Sequence, residues 1–365
     1  MHERLSRKAG WKAIPLVVSF LALFASLAGL LAQTSGGGSG YRLLRALPVA
    51  GYTGGDYLST DSVARLLYIT DNSGAIVFDV DKQQVVGHVP EPPFTHGIGL
   101  VHGVAIAPEF NRGFLSREIP PSVVVFDLST LRQIRVTQAG PGTDSVIYDP
   151  ASKRVFTFNG KKAGVHDATV IDARSGQSIG TIPLPGIPEF PAVDDAGHLY
   201  VNISTQSALA EIDTKTLEII AIWPLAPCEG PSGLAMDVAH RRLFAGCDNK
   251  LMVMVNADTG KVVATVPIGE GVDADAFDPA TGYAFASNGE GTLTIAHEDS
   301  PNKLTLVENI RTGPGARTMA LDPKTHHVFL ISAKFQTSRP SASPDNPHRY
   351  PLIVPSTAKL LVFGR

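Results

Sequence analysis

The 365-residue sequence carries no excess of positive charge: 31 Lys and Arg stand against 34 Asp and Glu. Glu3, Arg4, Arg7, Lys8 and Lys12 are the only charged residues among the first 32, and without that segment 27 basic residues face 33 acidic ones, a net −6. That sign opposes phosphate, so a nucleic-acid partner is not expected. Glycine (35) and proline (27) fall short of the roughly 25–30% that marks collagen-like or low-complexity chains. Helical periodicity is almost absent from residue 41 onward. The motifs that demand a mechanism are missing as well: there is no H-E-x-x-H, C-x-x-C, G-x-S-x-G or G-x-x-x-x-G-K-[ST]. Gly97-Ile98-Gly99 lacks the third glycine and the following helix of a dinucleotide site. No catalytic residue is assigned.

Two things are present. The first is an address. Arg4, Arg7, Lys8 and Lys12 precede an uncharged apolar run over residues 13–32, the charged and apolar regions of an export signal. Ser26-Leu27-Ala28 fits a cleavage site; the alternative is an uncleaved N-terminal anchor, since about 20 apolar residues can span a bilayer. No Cys follows the run, which excludes lipid attachment there. Residues 33–40 (QTSGGGSG) read as a flexible tether. The body is therefore expected in the periplasm, at the cell surface or secreted, touching a membrane only through an uncleaved N-terminal segment.

The second is a repeat. Pro48, Pro90, Pro183, Pro224 and Pro267 each end an apolar run of similar cadence, spaced by 42, 93, 41 and 43 residues, the second step being two repeats. Asp61, Ala107, Asp149, Asp194, Asp237, Asp278 and Asp322 close short strands in a second register. Third strands end in Asp followed by Ser-Gly or Thr-Gly turns, as in TVIDARSG (169–176). Four strands every 41–46 residues make one propeller blade, and seven anchors make seven blades. The last blade runs out of chain after its third strand. The segment 43–48 carries the fourth-strand cadence and is expected to fill that vacancy, removing an exposed edge. The fold class is thus all-β, a seven-bladed propeller over residues 41–365. A five-proline insertion over 334–357 interrupts the last blade, either mobile or as a lid carrying Arg339, His348, Arg349 and Tyr350.

Leu67-Tyr68-Ile69-Thr70-Asp71-Asn72 followed by Ile76-Val77-Phe78-Asp79 resembles the repeat of exported YVTN-type seven-bladed β-propellers, and Leu199-Tyr200-Val201-Asn202 matches more loosely. The resemblance covers roughly residues 41–365. It implies an exported or surface-exposed propeller and marks fold rather than activity.

In a propeller the loops entering each first strand gather at one mouth of the central channel. Here they offer Asp56, His96 with His102, Asp144, Glu189, Glu229, Asp273 with Asp275, and Arg317; Asn288 joins from a loop between second and third strands. His102, Asp144, Glu189, Glu229, Asp273, Asn288 and Arg317 form the candidate ligand-binding set. Crowded carboxylates facing one guanidinium call for a divalent cation or a neutral or positively charged ligand. An Asp at a strand entry also serves simply to accept a backbone N–H. His326 and His327 fall at a turn on the opposite face and read as solvated.

Two functions remain. The first is a binding or scaffold propeller whose mouth takes a small molecule, glycan or protein. The alternative is a metal-dependent hydrolase of the lactonase kind, with Glu189, Asn202, Asp144 and Asp273 as oxygen donors. Cys228 and Cys247 are the only cysteines. A turn near 238–241 folds Cys247 back beside residues 231–233, so a disulfide is expected in an exported chain.

Overall fold

Seven four-stranded antiparallel sheets succeed one another along the chain in a computed structural model that describes residues 38–72, 74–90, 100–160, 164–313, 315–336 and 352–365. The expected signal segment, His96 and the insertion residues Arg339, His348, Arg349 and Tyr350 lie outside the described residues, as does most of the tether. The innermost strands are Leu58–Asp61, Val101–Ala107, Thr143–Asp149, Pro188–Val193, Pro231–Asp237, Val272–Asp278 and Met319–Asp322. Each heads one blade of a seven-bladed propeller. The only helical elements among the described residues are the 3-10 turns Pro108–Phe110 and Ser204–Gln206. No helix there is long and apolar enough to cross a membrane.

The anchor aspartates explain the sharp reversals after the inner strands. Asp61 Oδ1 accepts the backbone N–H of Val63 (3.0 Å) and Ala64 (2.8 Å), and Asp149 accepts those of Ala151 and Ser152. A side chain that mimics the next turn of backbone fixes the reversal without a partner strand. Asp127 and Asp213 do the same between third and fourth strands. Pro48, Pro90, Pro183, Pro224 and Pro267 all end outermost strands, where a missing N–H breaks no ladder.

The few aromatics are spent on packing. The third residue of every second strand is aromatic: Tyr68, Phe114, Phe156, Tyr200, Phe244, Phe285 and Phe329, all buried. These rings fill the spaces between blades, where each is worth about 3–5 kcal/mol against truncation to Ala. The apolar clusters accordingly join neighbouring blades: Leu58, Leu67 and Phe78 of the first pack with Phe329, Leu360 and Val362 of the seventh.

Ring closure follows the expected route. Arg42–Pro48 pairs antiparallel with Lys359–Gly364, from Arg42 opposite Gly364 to Pro48 opposite Lys359, as the outer strand of blade seven. The base of the insertion forms a short antiparallel bridge, Phe335 opposite Ile353. Phe335 lies over Gly315, where an added Cβ would come within 2.6 Å of its ring.

Cys228 and Cys247 are bonded, with Cα atoms 5.5 Å apart across a 19-residue separation. The register agrees with the sequence argument, because Pro231 pairs with Cys247.

Candidate functional site

Counting five residues back from each anchor lands on one ring: Asp56, His102, Asp144, Glu189, Ser232, Asp273 and Arg317. Antiparallel blades of equal stagger bring this position to the same height in every blade. The inner strands nearly touch there. The Tyr57 N–H donates to the His102 carbonyl (2.9 Å) and the Ala274 N–H to the Arg317 carbonyl (3.3 Å), across blade seams.

The ring is a chain of alternating charge. Arg317 Nε lies 2.9 Å from Asp273 Oδ2 and its Nη2 3.4 Å from Asp56 Oδ1. His102 Nδ1 lies 2.8 Å from Asp56 Oδ2 and 3.2 Å from Asp144 Oδ1, while Nε2 faces Glu118 Oε2 at 3.3 Å. Burial pushes the imidazole pKa down. The Asp144 charge and the hydrogen bonds to Asp56 and Glu118 outweigh that and lift it to about 10. His102 is therefore an imidazolium near neutral pH. The carboxylates of the mouth face two cations, not the single guanidinium that the sequence suggested.

Below the ring two aromatic side chains meet. Tyr57 of blade one and Phe190 of blade four meet edge-to-face with centroids 4.6 Å apart. The Tyr57 hydroxyl donates to Asp144 Oδ1 at 3.2 Å. Burial, then the Asp144 and Asp56 charges, keep that phenol protonated, with its pKa well above the ordinary value. The mouth is thus a shallow polar cup with an aromatic floor.

The candidate residues divide. His102, Asp144, Glu189, Asp273 and Arg317 stand in the ring. Glu229 is exposed in the loop before Pro231–Asp237, three residues ahead of the ring position, which Ser232 occupies. Ser232 Oγ donates to the Asp273 carbonyl oxygen (3.3 Å) and Oδ1 (3.4 Å). Asn288 is buried at the end of a second strand, donating to Thr292 Oγ1 (3.1 Å) and Thr294 Oγ1 (3.0 Å) within its own blade. Asn202 is buried too, donating to the carbonyls of Ser232 and Gly233. It joins blades four and five rather than facing the cup. The fixed five-residue offset would have found Ser232; nothing in the sequence marks Glu118.

Asp275 occupies a position held by apolar residues elsewhere: Leu58, Val104, Val146, Pro191, Leu234 and Met319. Its carboxyl is buried, and neither oxygen accepts a hydrogen bond of normal geometry. Gly233 and Gly246 make room for it, since a Cβ on either would lie 2.8 Å from its carboxyl atoms. Burial, the largest influence, holds the pKa well above the usual carboxylate range despite the opposing Gly246 backbone amide. The Asp273 charge adds to the rise.

The opposite face carries a second set of contacts. Arg65, Arg241 and His326 each stand just before a second strand and reach back to the anchor of the preceding blade. The distances are 2.6 Å to Asp322, 3.0 Å to Asp194 and 2.9 Å to Asp278. His326 is therefore an inter-blade partner and not simply solvated.

No family model matches the sequence, and no curated protein matches it. Among solved structures, a chain of hydrazine synthase from Kuenenia stuttgartiensis is similar at 15% identity and a TM-score of 0.64, covering 77% of this chain and 94% of that one. A chain of the mitotic checkpoint complex is similar at 14% identity and a TM-score of 0.70, covering 88% and 91%. At these identities the likeness carries the propeller fold alone.

Proposed function

We propose that the protein is an exported binding propeller that takes a small polar ligand, neutral or positively charged, in the cup ringed by Asp56, His102, Asp144, Glu189, Ser232, Asp273 and Arg317. The observation that carries this reading is the ring itself. Six of its seven positions are ionisable, although the same register only two residues further down is almost entirely apolar. Fixed, mutually oriented donors and acceptors above the Tyr57–Phe190 pair suit recognition of hydroxyl or ammonium groups. The remaining acidity of the cup disfavours anions. Export is supported by the basic and apolar N-terminal pattern and by the Cys228–Cys247 disulfide, which suits an oxidising compartment. The YVTN-type affiliation rests on the Leu67–Asn72 motif.

A metal-dependent reading has one specific observation in its favour: ligand atoms of Asp56, His102 and Asp144 lie within 4.8 Å of one another. A divalent cation there would replace the imidazolium proton, and Asp56 and Asp144 would supply oxygens.

Calorimetric screening of sugars, amines and divalent cations against the full chain tests both. Asp144→Asn and Asp273→Asn should each weaken the ligand found by at least tenfold. A ligand whose affinity is indifferent to both substitutions refutes the cup as the site. Cation uptake that is lost in Asp144→Asn would favour the metal-dependent reading.

A further inference from the structure

The seam between blades five and six lacks the cation that three other seams possess. Arg65, Arg241 and His326 hold the left-handed position before a second strand, with φ of 63°, 54° and 60°, and each points its charge at the preceding anchor. In blade six that position is Gly282, φ 69°. Asp237, the anchor it should serve, is buried and receives no charge from the next blade's turn.

An acid stands there instead. Glu298, the seventh residue from the start of the third strand of blade six (Thr292–Ser300), stands where Val80, Leu128, Ala173, Thr214 and Ala257 stand in blades one to five. Its N–H donates to the Gly282 carbonyl at 2.8 Å. The side chain is 9% exposed, and its carboxyl meets that of Asp237, a hydrogen bond between two acids that requires a shared proton. His240 completes the group, with Nδ1 2.5 Å from Asp237 Oδ2. Nearby Arg242 directs its hydrogen bonds to the carbonyls of His240, Arg241 and Pro301 and to Asn302 Oδ1. The Asp149 seam, opposite Gly197, also lacks a cation, but the acid beside Asp149 there, Asp195, is exposed to water.

We propose that Asp237, His240 and Glu298 bind one divalent cation of the zinc class, which clamps blade five to blade six on the face opposite the cup. Their ligand atoms lie within 4.8 Å of one another. Two ligands on one tetrahedral zinc ion stand about 3.4 Å apart, so closure needs a shift of up to about 1.4 Å. The half-exposed His240 ring can supply it. Two carboxylates neutralise the ion, and one imidazole nitrogen selects zinc over calcium or magnesium. The exposed side of His240 leaves a fourth position to water. This site does not depend on the reading of the cup.

The test uses the full chain, stripped with a chelator, then titrated with Zn²⁺ by calorimetry while melting is followed. Stripped protein should take up Zn²⁺ at this site and melt higher. His240→Ala and Glu298→Gln should each lower the affinity of that site at least tenfold and remove the rise in melting temperature, whereas Asp144→Asn in the cup should leave both intact. If Glu298→Gln fails to fold, His240→Ala decides, because that side chain lies at the surface. No uptake by the stripped protein, or uptake unchanged in His240→Ala, overturns the proposal. Loss of uptake in Asp144→Asn alone would assign the ion to the cup and overturn it equally.

Discussion

The His102 imidazole lies 2.8 Å from the Asp56 carboxylate across the seam between blades one and two. Its proton is held by three acids, from Asp56, Glu118 and Asp144. The folded pKa of about 10 lies above the ordinary 6.5. Its stabilisation is therefore fully present below pH about 6.5 and is lost as pH rises through about 10. Melting temperatures across that range should fall for the wild type, with a slope of at most about 1.4 kcal/mol per pH unit from this group. His102→Asn should flatten the profile; an unaltered profile contradicts the charge assignment.

Asp275 predicts the same sign from a different cause. Its folded pKa is raised by burial, so the native state holds a proton that the unfolded chain releases above pH about 4. Stability is lost as pH rises from there. Asp275→Asn should raise the melting temperature at neutral pH and have little effect near pH 3. A destabilised variant at pH 7 would mean that the ionised carboxylate is needed.

The disulfide closes a loop that should contribute about 3 kcal/mol. The Cys228→Ser, Cys247→Ser double variant should lose that amount in denaturant unfolding. Free-thiol titration of denatured, unreduced protein from an oxidising compartment should find none; two reactive thiols would contradict the bond.

Much of this fold was legible because two signals repeat in phase. The prolines mark outer strands and the aspartates mark inner-strand ends, each for a backbone reason that survives sequence divergence. The cup was legible in position more than in composition. Asp144 and Arg317 could be found by their place at a strand entry, while Glu229 drew attention by its charge although Ser232 holds the register. Glu118 and Glu298 were not legible, because what distinguishes them is burial beside residues distant in sequence. The seam cations were hidden for a similar reason: Arg65 reaches Asp322 only once the ring has closed.

Truncation through Gly51 removes the outer strand of blade seven and bares the edge of Lys359–Gly364. The truncated protein should melt lower and self-associate in sedimentation. A monomer with unchanged melting would show that the pairing contributes nothing.

That same pairing bears on how the molecule is made. Arg42 cannot meet Gly364 until nearly all of the intervening chain has been synthesised. Early blades can collapse as they emerge, but the ring stays open, with a loop-closure cost that no local contact offsets. The ring therefore closes only after residues 359–364 have emerged. During that interval the first strand remains an unpaired ribbon, and holding it apart from other chains becomes a matter of timing rather than of equilibrium stability.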